Sequence, residues 1–403
     1  MQISGKEIPS ADNKNHFQRY LQYAAAILTS YRGHEPFHIF IKKYFSLNKK
    51  HGSKDRKLIT ALCYNFFRLG LGVSAPVTQN EKFFLSTFLC EAKSSLLLQL
   101  FKPEWNNFIS LPIVDKLKIA GEKFNVVKLF PFTNELSTEI NIDQLNLSFL
   151  IQPKIFIRIR PGFQSIVINK IKQSGFAFEQ LEENCIAFTN NEKVTEVIEV
   201  DKEAVVQDYN SQKTLDLLKP LAERSNVDLS IWDCCAGSGG KSILAFDLFK
   251  KINLTVSDRR KSILENLTMR FRTAGIKAYR LISAELEKSS LKMSESFDII
   301  IADVPCSGSG TWARTPEQLH FFKNNEIEKY ASLQRRIIDN ALPHLKTNGH
   351  LLYITCSVFK KENEENVAFF KEKHKMNLLN VEYLKGYEMQ ADTLFVALFT
   401  KRN

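Results

Sequence analysis

Short apolar runs alternate with amphipathic stretches throughout the C-terminal half of the chain. The apolar runs have the length of strands and occupy residues 229–236, 252–258, 297–304 and 349–356. Residues 259–274 and 326–342 lie between or beside them and have apolar positions at helical spacing. Strands that alternate with helices build a mainly parallel sheet with right-handed crossovers. We therefore predict an α/β fold for residues 205–403, with ligands bound at the carboxyl ends of the strands.

The N-terminal third has helical periodicity instead. One amphipathic segment spans residues 17–31, Pro36 suits the first turn of a second helix, and a fourth helix is expected near residues 80–101. Between them, Ser53 is expected to cap a third helix. These patterns predict a small helical domain over residues 1–125.

Residues 126–204 mix the two patterns and predict a small α+β module. The segment KIFIRIR, residues 154–160, alternates isoleucines with charged residues and is typical of a half-buried strand. Its Arg158 and Arg160 face away from the isoleucines. They could contact phosphate, although a solvent-exposed face is the more common explanation.

Charge suggests a class of partner. The chain has 403 residues and a net charge of +11, and residues 1–125 contribute +9 of it with 18 basic and 9 acidic side chains. A basic N-terminal third indicates either a nucleic-acid partner or simply a solvated basic surface. There is no apolar run of transmembrane length and no apolar stretch of signal-peptide type near residue 1. We therefore expect a cytoplasmic protein without a membrane partner.

The cysteines and histidines do not indicate a metal site. Seven cysteines are scattered without a CxxC pair, which argues against a disulfide framework and against zinc ligation. His34 and His38 have the HExxH spacing of zinc proteases, but Pro36 lies between them and is hostile to a helix interior. We predict that the protein binds no metal.

A glycine-rich loop follows the first predicted strand of the α/β domain and opens a helix. It reads Asp233-Cys-Cys-Ala-Gly-Ser-Gly-Gly-Lys241. Glycines allow a tight turn and a close approach of a ligand to the backbone, and a helix N-terminus favours a carboxylate or another negative group. Lys241 could assist. Asp258, at the end of the next predicted strand, can accept hydrogen bonds from ribose hydroxyls.

Two other ligand classes compete for this loop. A Walker phosphate loop needs a glycine where this chain has Cys235, so that match fails. A dinucleotide-dependent dehydrogenase stays open on the loop alone, although the third glycine of its motif is displaced.

Two cysteine motifs follow the later predicted strands. DVPCSGSG begins at Asp303 and contains Cys306, and YITCS contains Cys356. A buried cysteine is ordinarily a small apolar side chain. Two thiols at strand ends, in polar turns beside a ligand loop, instead indicate chemistry that uses sulfur as a nucleophile.

These motifs closely resemble those of the Sun-type (Nol/Nop/Sun, or Fmu) RNA cytosine-5 methyltransferases. The glycine loop, DVPCSGSGTWARTPE (303–317), Ser332-Leu333-Gln334 and YITCSVFKKENEENV (353–367) all fit the pattern of that family. The resemblance covers roughly residues 205–400. Upstream it is weaker: HGSKDRKLITALCYNFFR (51–68) looks like part of a NusB-like helical domain, and residues 152–162 look like part of a small RNA-binding module.

The resemblance implies a class I Rossmann-like domain that binds S-adenosylmethionine and methylates C5 of a cytosine in RNA, most often ribosomal RNA. It implies that Cys356 is the nucleophile that adds to C6 of the base, and that Cys306 aids release of the product. Asp303 would bind the N3 and amino edge of the cytosine. The residues implied to line the cofactor site are Cys235, Ala236, Gly237, Ser238, Gly239, Gly240, Lys241, Asp258 and Asp303.

The chain departs from the family pattern after the third strand, where another cofactor-contacting acid is usual. Ser283 lies near that place, and Glu285 is a possible substitute. Alternatives therefore stay open: an RNA-binding ribosome-assembly factor with a vestigial methyltransferase fold, a methyltransferase for transfer RNA, or an enzyme acting on small molecules. We expect a monomer.

Overall fold

The computed structural model describes residues 11–74, 76–189, 192–224, 227–249 and 251–401. Its α-helices are α1 (Ala11–Ser30), α2 (Phe37–Leu47), α3 (Ser53–Arg68), α4 (Gln79–Cys90), α5 (Leu96–Phe101), α6 (Pro103–Asn106), α7 (Ile113–Ala120), α8 (Ile142–Phe149), α9 (Gln164–Ser174), α10 (Tyr209–Lys213), α11 (Lys219–Arg224), α12 (Gly240–Leu248), α13 (Lys261–Ala274), α14 (Gln318–Phe321), α15 (Asn324–Ala341) and α16 (Glu364–Lys373).

The strands are β1 (Ile155–Ile159), β2 (Phe178–Glu182), β3 (Cys185–Phe188), β4 (Ala204–Val206), β5 (Leu229–Asp233), β6 (Ile252–Asp258), β7 (Tyr279–Ser283), β8 (Phe297–Asp303), β9 (Leu345–Thr355), β10 (Asn377–Leu384) and β11 (Leu394–Thr400). Single 3-10 turns occupy Gly121–Lys123, Val126–Lys128, Thr133–Glu135, Val194–Glu196, Asp216–Leu218, Ser309–Thr311, Leu342–His344 and Gly386–Glu388.

These elements form two units, of which the first is helical. The helical unit comprises residues 1–133, 141–152 and 312–322. Its apolar helix faces meet in an aromatic core in which Tyr31, Phe37 and Phe67 pack with ring centroids 4.9–5.8 Å apart. Trp312 is 1% exposed and packs against Phe130, so this tryptophan is a core residue and not a base-stacking platform.

The N-terminus of α3 differs from the prediction. Ser53 does not cap α3; it is the first helical residue, and the N-cap position is taken by Gly52. The Asp55 carboxylate accepts the backbone N–H of Gly52 at 3.0 Å and so supplies the polar partner at this helix end. Helix α2 begins at Phe37, so His34 lies outside it, as Pro36 predicts.

The second unit, called the sheet unit here, comprises residues 134–140, 153–311 and 323–403. It contains a four-stranded sheet in the order β2-β3-β1-β4 and a seven-stranded sheet in the order β10-β11-β9-β8-β5-β6-β7. The first sheet and α9 form a small α+β layer, called the small module here. In the larger sheet, β5 to β9 are mutually parallel and β11 runs antiparallel to both of its neighbours, β9 and β10, so the predicted α/β fold is confirmed.

The seven-stranded sheet is apolar on both faces. One layer packs Ile231, Ile299 and Ile301 against α12 and α13, and the other packs Trp232, Ile300 and Tyr353 against α15 and α16. Parallel strands covered by helices on both sides read as continuous apolar runs, which is why the strands were visible in the sequence. The sheet reverses its strand order between β5 and β8, the place where α/β folds form a ligand crevice.

The arginines of β1 correct a further prediction. Arg158 and Arg160 are neither solvated nor available to phosphate, because both are buried. Their guanidinium groups bind the Asp247 carboxylate of α12 at 2.6 and 2.8 Å, and the Asp247 side chain is only 7% exposed. Two buried positive charges on one carboxylate therefore fasten the small module to the larger sheet.

We predict that Asp247→Ala lowers the free energy of unfolding by about 3–5 kcal/mol, because it leaves two buried guanidinium groups without their carboxylate. The measurement is urea denaturation followed by circular dichroism. The control is Glu179→Ala, which removes an exposed partner of Lys154 and should cost less than about 1 kcal/mol. Equal small losses from both variants would contradict this account of Asp247.

Candidate active site

A cavity of about 600 Å³ opens at the carboxyl edge of the parallel strands. The segments that follow β5, β6, β7, β8 and β9 all contribute to its wall. Its size is within the range of pockets that enclose a cofactor-sized molecule. The sequence analysis placed the ligand site at this edge, and the cavity lies there.

The glycine loop forms one wall and leads into α12. Gly239 is the N-cap of that helix and has φ +83°, and a Cβ atom at this position would lie 2.7 Å from the Phe271 ring. Only glycine fits both conditions. The glycine loop therefore packs closely against α13, and the N-terminus of α12 faces the cavity. A hydrogen bond with Cys234 and burial raise the pKa of the Cys235 thiol well above its usual value, so Cys235 is kept neutral.

Asp258, at the end of β6, is held by four N–H donors. Its Oδ1 accepts the backbone N–H and Nε of Arg260 at 2.9 and 3.0 Å, and its Oδ2 accepts Nη2 of Arg260 and the backbone N–H of Gly237, both at 3.1 Å. Burial alone would raise the pKa of Asp258, but these hydrogen bonds outweigh burial and lower it. Asp258 therefore stays ionised beside the glycine loop.

Lys241 and Asp303 form an ion pair inside the cavity. The ammonium group of Lys241 donates to the Asp303 carboxylate at 2.6 Å and contacts the Ser211 hydroxyl at 3.4 Å. Burial would lower the pKa of Lys241, but the charge of Asp303 raises it above its usual value. The ion pair holds the Asp303 carboxylate, a charged hydrogen-bond acceptor, in place at the end of β8, next to the cysteines.

The two motif cysteines meet in the same cavity. Strands β8 and β9 are adjacent and parallel, and the Sγ atoms of Cys306 and Cys356 lie 3.1 Å apart. The backbone N–H of Cys356 also points at the Cys306 sulfur, at 3.3 Å. The hydrogen bond with Cys356 and burial raise the pKa of Cys306 well above its usual value, and the Glu362 charge adds to this effect. At neutral pH Cys306 is therefore a thiol that can donate toward Cys356.

A buried polar network lies beneath the two cysteine loops. The hydroxyls of Ser307, Ser309 and Ser357 contact one another at 3.1–3.2 Å, and Glu362 accepts the Ser357 hydroxyl at 2.6 Å. Gly310 N donates to the carbonyl oxygen of Cys356 at 2.9 Å. This network joins the loop after β8 to the loop after β9 immediately behind the sulfur atoms.

Close backbone packing adds to this junction. A Cβ atom on Gly310 would lie 2.0 Å from the carbonyl oxygen of Thr393, so any larger residue would push the loop after β8 away from the segment that leads into β11. Residues 134–140 also contact the loop after β9: Ser137 N donates to Val358 O at 3.0 Å, and Lys360 N donates to Glu135 O at 3.0 Å. The sequence analysis placed this segment only within the α+β module of residues 126–204.

Most of the residues expected at the site line the cavity. They are Cys235, Ala236, Gly237, Ser238, Gly240, Lys241, Asp258, Asp303, Cys306 and Cys356. Gly239 is not among the lining residues, because it packs against α13. Neither Ser283 nor Glu285 lines the cavity; Glu285 pairs with Lys288 on the surface. The acid after β7 that does reach the wall is Glu287, which pairs with Arg259 at 3.1 Å.

The cavity wall also includes residues to which the sequence analysis gave no role in the site. They are Gln207, Asp208 and Ser211, from the segment after β4, and Asp392, from the turn before β11. Asp208 accepts the backbone N–H of Asp392 at 3.0 Å, so the two segments form one surface. Polar residues directly after a short strand were the signal that could have found Gln207 and Asp208.

Two absences hold for the described parts of the chain. They contain no group of three or more histidine, cysteine, aspartate or glutamate side chains arranged to hold a metal ion. None of their helices has both the length and the apolar character needed to span a bilayer.

Known proteins are similar to the C-terminal half of this chain. Residues 217–399 match the family described as 16S rRNA methyltransferase RsmB/F. The ribosomal RNA small subunit methyltransferase B of Shewanella oneidensis is 35% identical over 41% of this chain and 38% of its own length. The enzyme of the same name from an Enterobacter strain is 32% identical over 41% of this chain and 37% of its own length. The chain thus matches less than two fifths of these relatives.

Solved structures extend the likeness in fold. The protein PH0851 superimposes with a TM-score of 0.67 at 18% identity, over 91% of this chain and 95% of its own. NSun6 from Pyrococcus horikoshii, solved with the ligand SFG, gives a TM-score of 0.55 at 16% identity, over 65% of this chain and 94% of its own. The fold of this chain is thus the one that these two structures share, and residues 217–399 are similar to the RsmB/F methyltransferase family.

Proposed function

We propose that this protein transfers a methyl group from S-adenosylmethionine to C5 of a cytosine in RNA, and that the RNA is ribosomal. The observation that carries the proposal is the pair of thiols 3.1 Å apart at the ends of β8 and β9, in the same cavity as the glycine loop. The domain family and the names of the relatives support ribosomal RNA as the substrate.

The cavity fits S-adenosylmethionine by its shape and its polar groups. The N-terminus of α12 offers backbone N–H groups to the methionine carboxylate, and Asp258 offers an ionised acceptor to the ribose hydroxyls. The residues proposed to hold the cofactor are Cys235, Ala236, Gly237, Ser238, Gly240, Lys241, Asp258 and Asp303, with Gly239 shaping the turn. When bound, the cofactor supplies an electrophilic methyl group on a positively charged sulfur.

The two cysteines supply covalent catalysis on the base. C5 of cytosine is a poor nucleophile in the intact ring. The thiolate of Cys356 adds to C6, the C5–C6 π electrons become available at C5, and C5 accepts the methyl group. Loss of the C5 proton re-forms the double bond and expels the sulfur of Cys356. We assign Cys306, whose sulfur contacts that of Cys356, to this release.

Asp303 and Lys241 select and hold the base. The Asp303 carboxylate can accept the amino group of cytosine, a donor that uracil lacks, and Lys241 keeps that carboxylate in place. The target nucleotide must leave its stack to reach the cavity. We propose that the helical unit, with the positive charge of residues 1–125, and the small α+β module position the RNA through phosphate contacts.

Separate cysteine substitutions test the two roles. We expect Cys356→Ala to abolish methyl transfer, because no adduct can form. Cys306→Ala should leave the protein covalently attached to its RNA, because release fails. The measurement is a denaturing gel with labelled RNA. Adduct in Cys356→Ala and none in Cys306→Ala would reverse the assignment.

The proposed ribose contact is tested by binding. We expect Asp258→Ala to weaken S-adenosylhomocysteine by about 10–100-fold in calorimetry, since hydrogen bonds to a charged group contribute about 1.5–3 kcal/mol. Asp298→Ala is the matched control, because Asp298 lies near the start of β8 and binds Lys346 and the N–H of Ser230. Equal affinities of both variants would remove Asp258 from the cofactor site.

The substrate is tested by transfer of labelled methyl groups to unmodified total RNA, followed by separation of ribosomal from transfer RNA and bisulfite sequencing. We expect one protected cytosine in small-subunit ribosomal RNA and none with Cys356→Ala. Label confined to transfer RNA would exclude ribosomal RNA. Absence of label in both free RNA and assembling subunits, with cofactor binding intact, would favour the assembly-factor alternative.

A further inference from the structure

One carboxylate in the site has no assigned role. Glu362 lies in the loop after β9, is 0% exposed and is not part of the cavity wall. Its Oε1 accepts the Ser357 hydroxyl at 2.6 Å. Its Oε2 accepts the backbone N–H of Ser307 at 2.9 Å and the side-chain amide of Gln334 at 2.8 Å.

Two of these donors are immediate neighbours of the reactive cysteines. Ser307 follows Cys306 in the loop after β8, and Ser357 follows Cys356 in the loop after β9. One side chain thus binds both cysteine loops, and it does so through one oxygen for each loop. The Ser307 and Ser357 hydroxyls also contact each other at 3.1 Å. Glu362 therefore bridges the two loops next to the residues that carry the sulfur atoms.

The third donor fixes the carboxylate itself. Gln334, on α15, donates to the Pro305 carbonyl at 3.1 Å as well as to Glu362, and its own carbonyl oxygen accepts the Tyr353 hydroxyl at 2.9 Å. Tyr353 also donates to the backbone oxygen of Glu362 at 2.6 Å. Gln334 thus holds the side chain of Glu362, and Tyr353 holds its backbone, so both are restricted in position.

A buried carboxylate is an expensive way to join two loops. Burial raises the pKa of Glu362, which records the cost of removing its charge from water. Apolar side chains of similar volume often stabilise a protein as well as buried charges do. A carboxylate differs from an apolar side chain because its hydrogen bonds are directional. The two oxygens of Glu362 accept three donors from three segments. That property matters where two atoms must be held at a fixed separation.

We propose that Glu362 is a positioning residue that holds the Cys306 and Cys356 loops in register, so that the two thiols act on one base. This inference rests on the proposed function. Glu362 does not contact the cavity and is not itself a catalytic residue. Its loss should slow the steps that use the thiols and leave cofactor binding unaffected, because its side chain binds Ser307, Ser357 and Gln334 and none of the residues proposed to hold the cofactor.

The test compares Cys306→Ala with Cys306→Ala/Glu362→Gln, using the RNA that the wild-type protein methylates. Glutamine preserves the volume but turns an NH2 group toward one of the three donors. We expect the rate of covalent adduct formation to fall about 10–100-fold, corresponding to about 1.4–2.7 kcal/mol. In the single variant Glu362→Gln, kcat should fall by a similar factor while KM for RNA and the affinity for S-adenosylhomocysteine change less than about twofold.

Glu203→Gln is the matched control. It changes another buried carboxylate that accepts several hydrogen bonds, from Lys170 and from the backbone N–H of Glu199, and it contacts neither cysteine loop. We expect it to lower thermal stability while changing the rate of adduct formation less than about threefold. If Glu362→Gln does not fold, Ser357→Ala removes the 2.6 Å contact together with the contacts of that hydroxyl to Ser307, Ser309 and Phe359, and should slow adduct formation in the same direction.

The outcomes separate the inference from the proposed function. Absence of adduct in Cys306→Ala itself would count against the proposed function. Adduct at equal rates with and without Glu362→Gln would overturn the role of Glu362 while leaving the proposed function intact. Loss of S-adenosylhomocysteine binding in parallel with the rate would reduce Glu362 to a general structural residue and would also overturn the inference.

Discussion

The site depends on the parallel pairing of β8 with β9. Because the two strands run in the same direction and are neighbours, residues that are fifty positions apart in sequence emerge side by side at one edge of the sheet. Cys306 and Cys356 need no long loop to meet, and Asp303 lies three residues before the first of them. The same geometry places the glycine loop one strand away, since β5 pairs with β8 on its other side. Thiols, charged pair and ligand loop are therefore consequences of one strand order.

Two groups of ion pairs join the small module to the helices and the glycine loop of the larger sheet. Asp247 joins the small module to α12 through Arg158 and Arg160. Arg270, on α13, binds Asp201 of the small module with two nitrogens at 2.7 and 2.9 Å and the Ser238 oxygens of the glycine loop with a third at 3.0 Å. Guanidinium groups suit this use because their donors have a fixed planar arrangement. Hydrogen bonds thus link the small four-stranded sheet to the glycine loop that lines the cavity.

The sequence allowed good prediction wherever a local pattern determined the outcome. Parallel strands buried on both faces are apolar throughout, so β5, β6, β8 and β9 were placed within a few residues. Motifs at their ends then located the cavity. The NusB-like and RNA-positioning assignments of the N-terminal parts stay predictions.

Prediction failed where the partner is distant in sequence. The period-two pattern around Arg158 shows which residues share a face, but it does not show that Asp247, 89 positions away, covers that face. Glu362 appeared only as part of the motif of residues 353–367 and received no role, because its three donors come from three separate segments. Ser53 was preferred as a cap because serine is common there, whereas Asp55 in the first turn supplied the polar partner to Gly52.

The hydrogen bonds of Asp258 have a consequence for any nucleoside that enters the cavity. A carboxylate has about four acceptor positions, and at Asp258 all four are filled from within the chain, three of them by Arg260. A ribose can reach this acid only by exchange, so the free energy of binding is a difference between two sets of hydrogen bonds. The Arg260 side chain is 55% exposed and can leave toward water. If a ribose binds Asp258 as proposed and displaces the Arg260 side chain, the occupied site differs electrostatically from the empty one by more than the charge of its ligand.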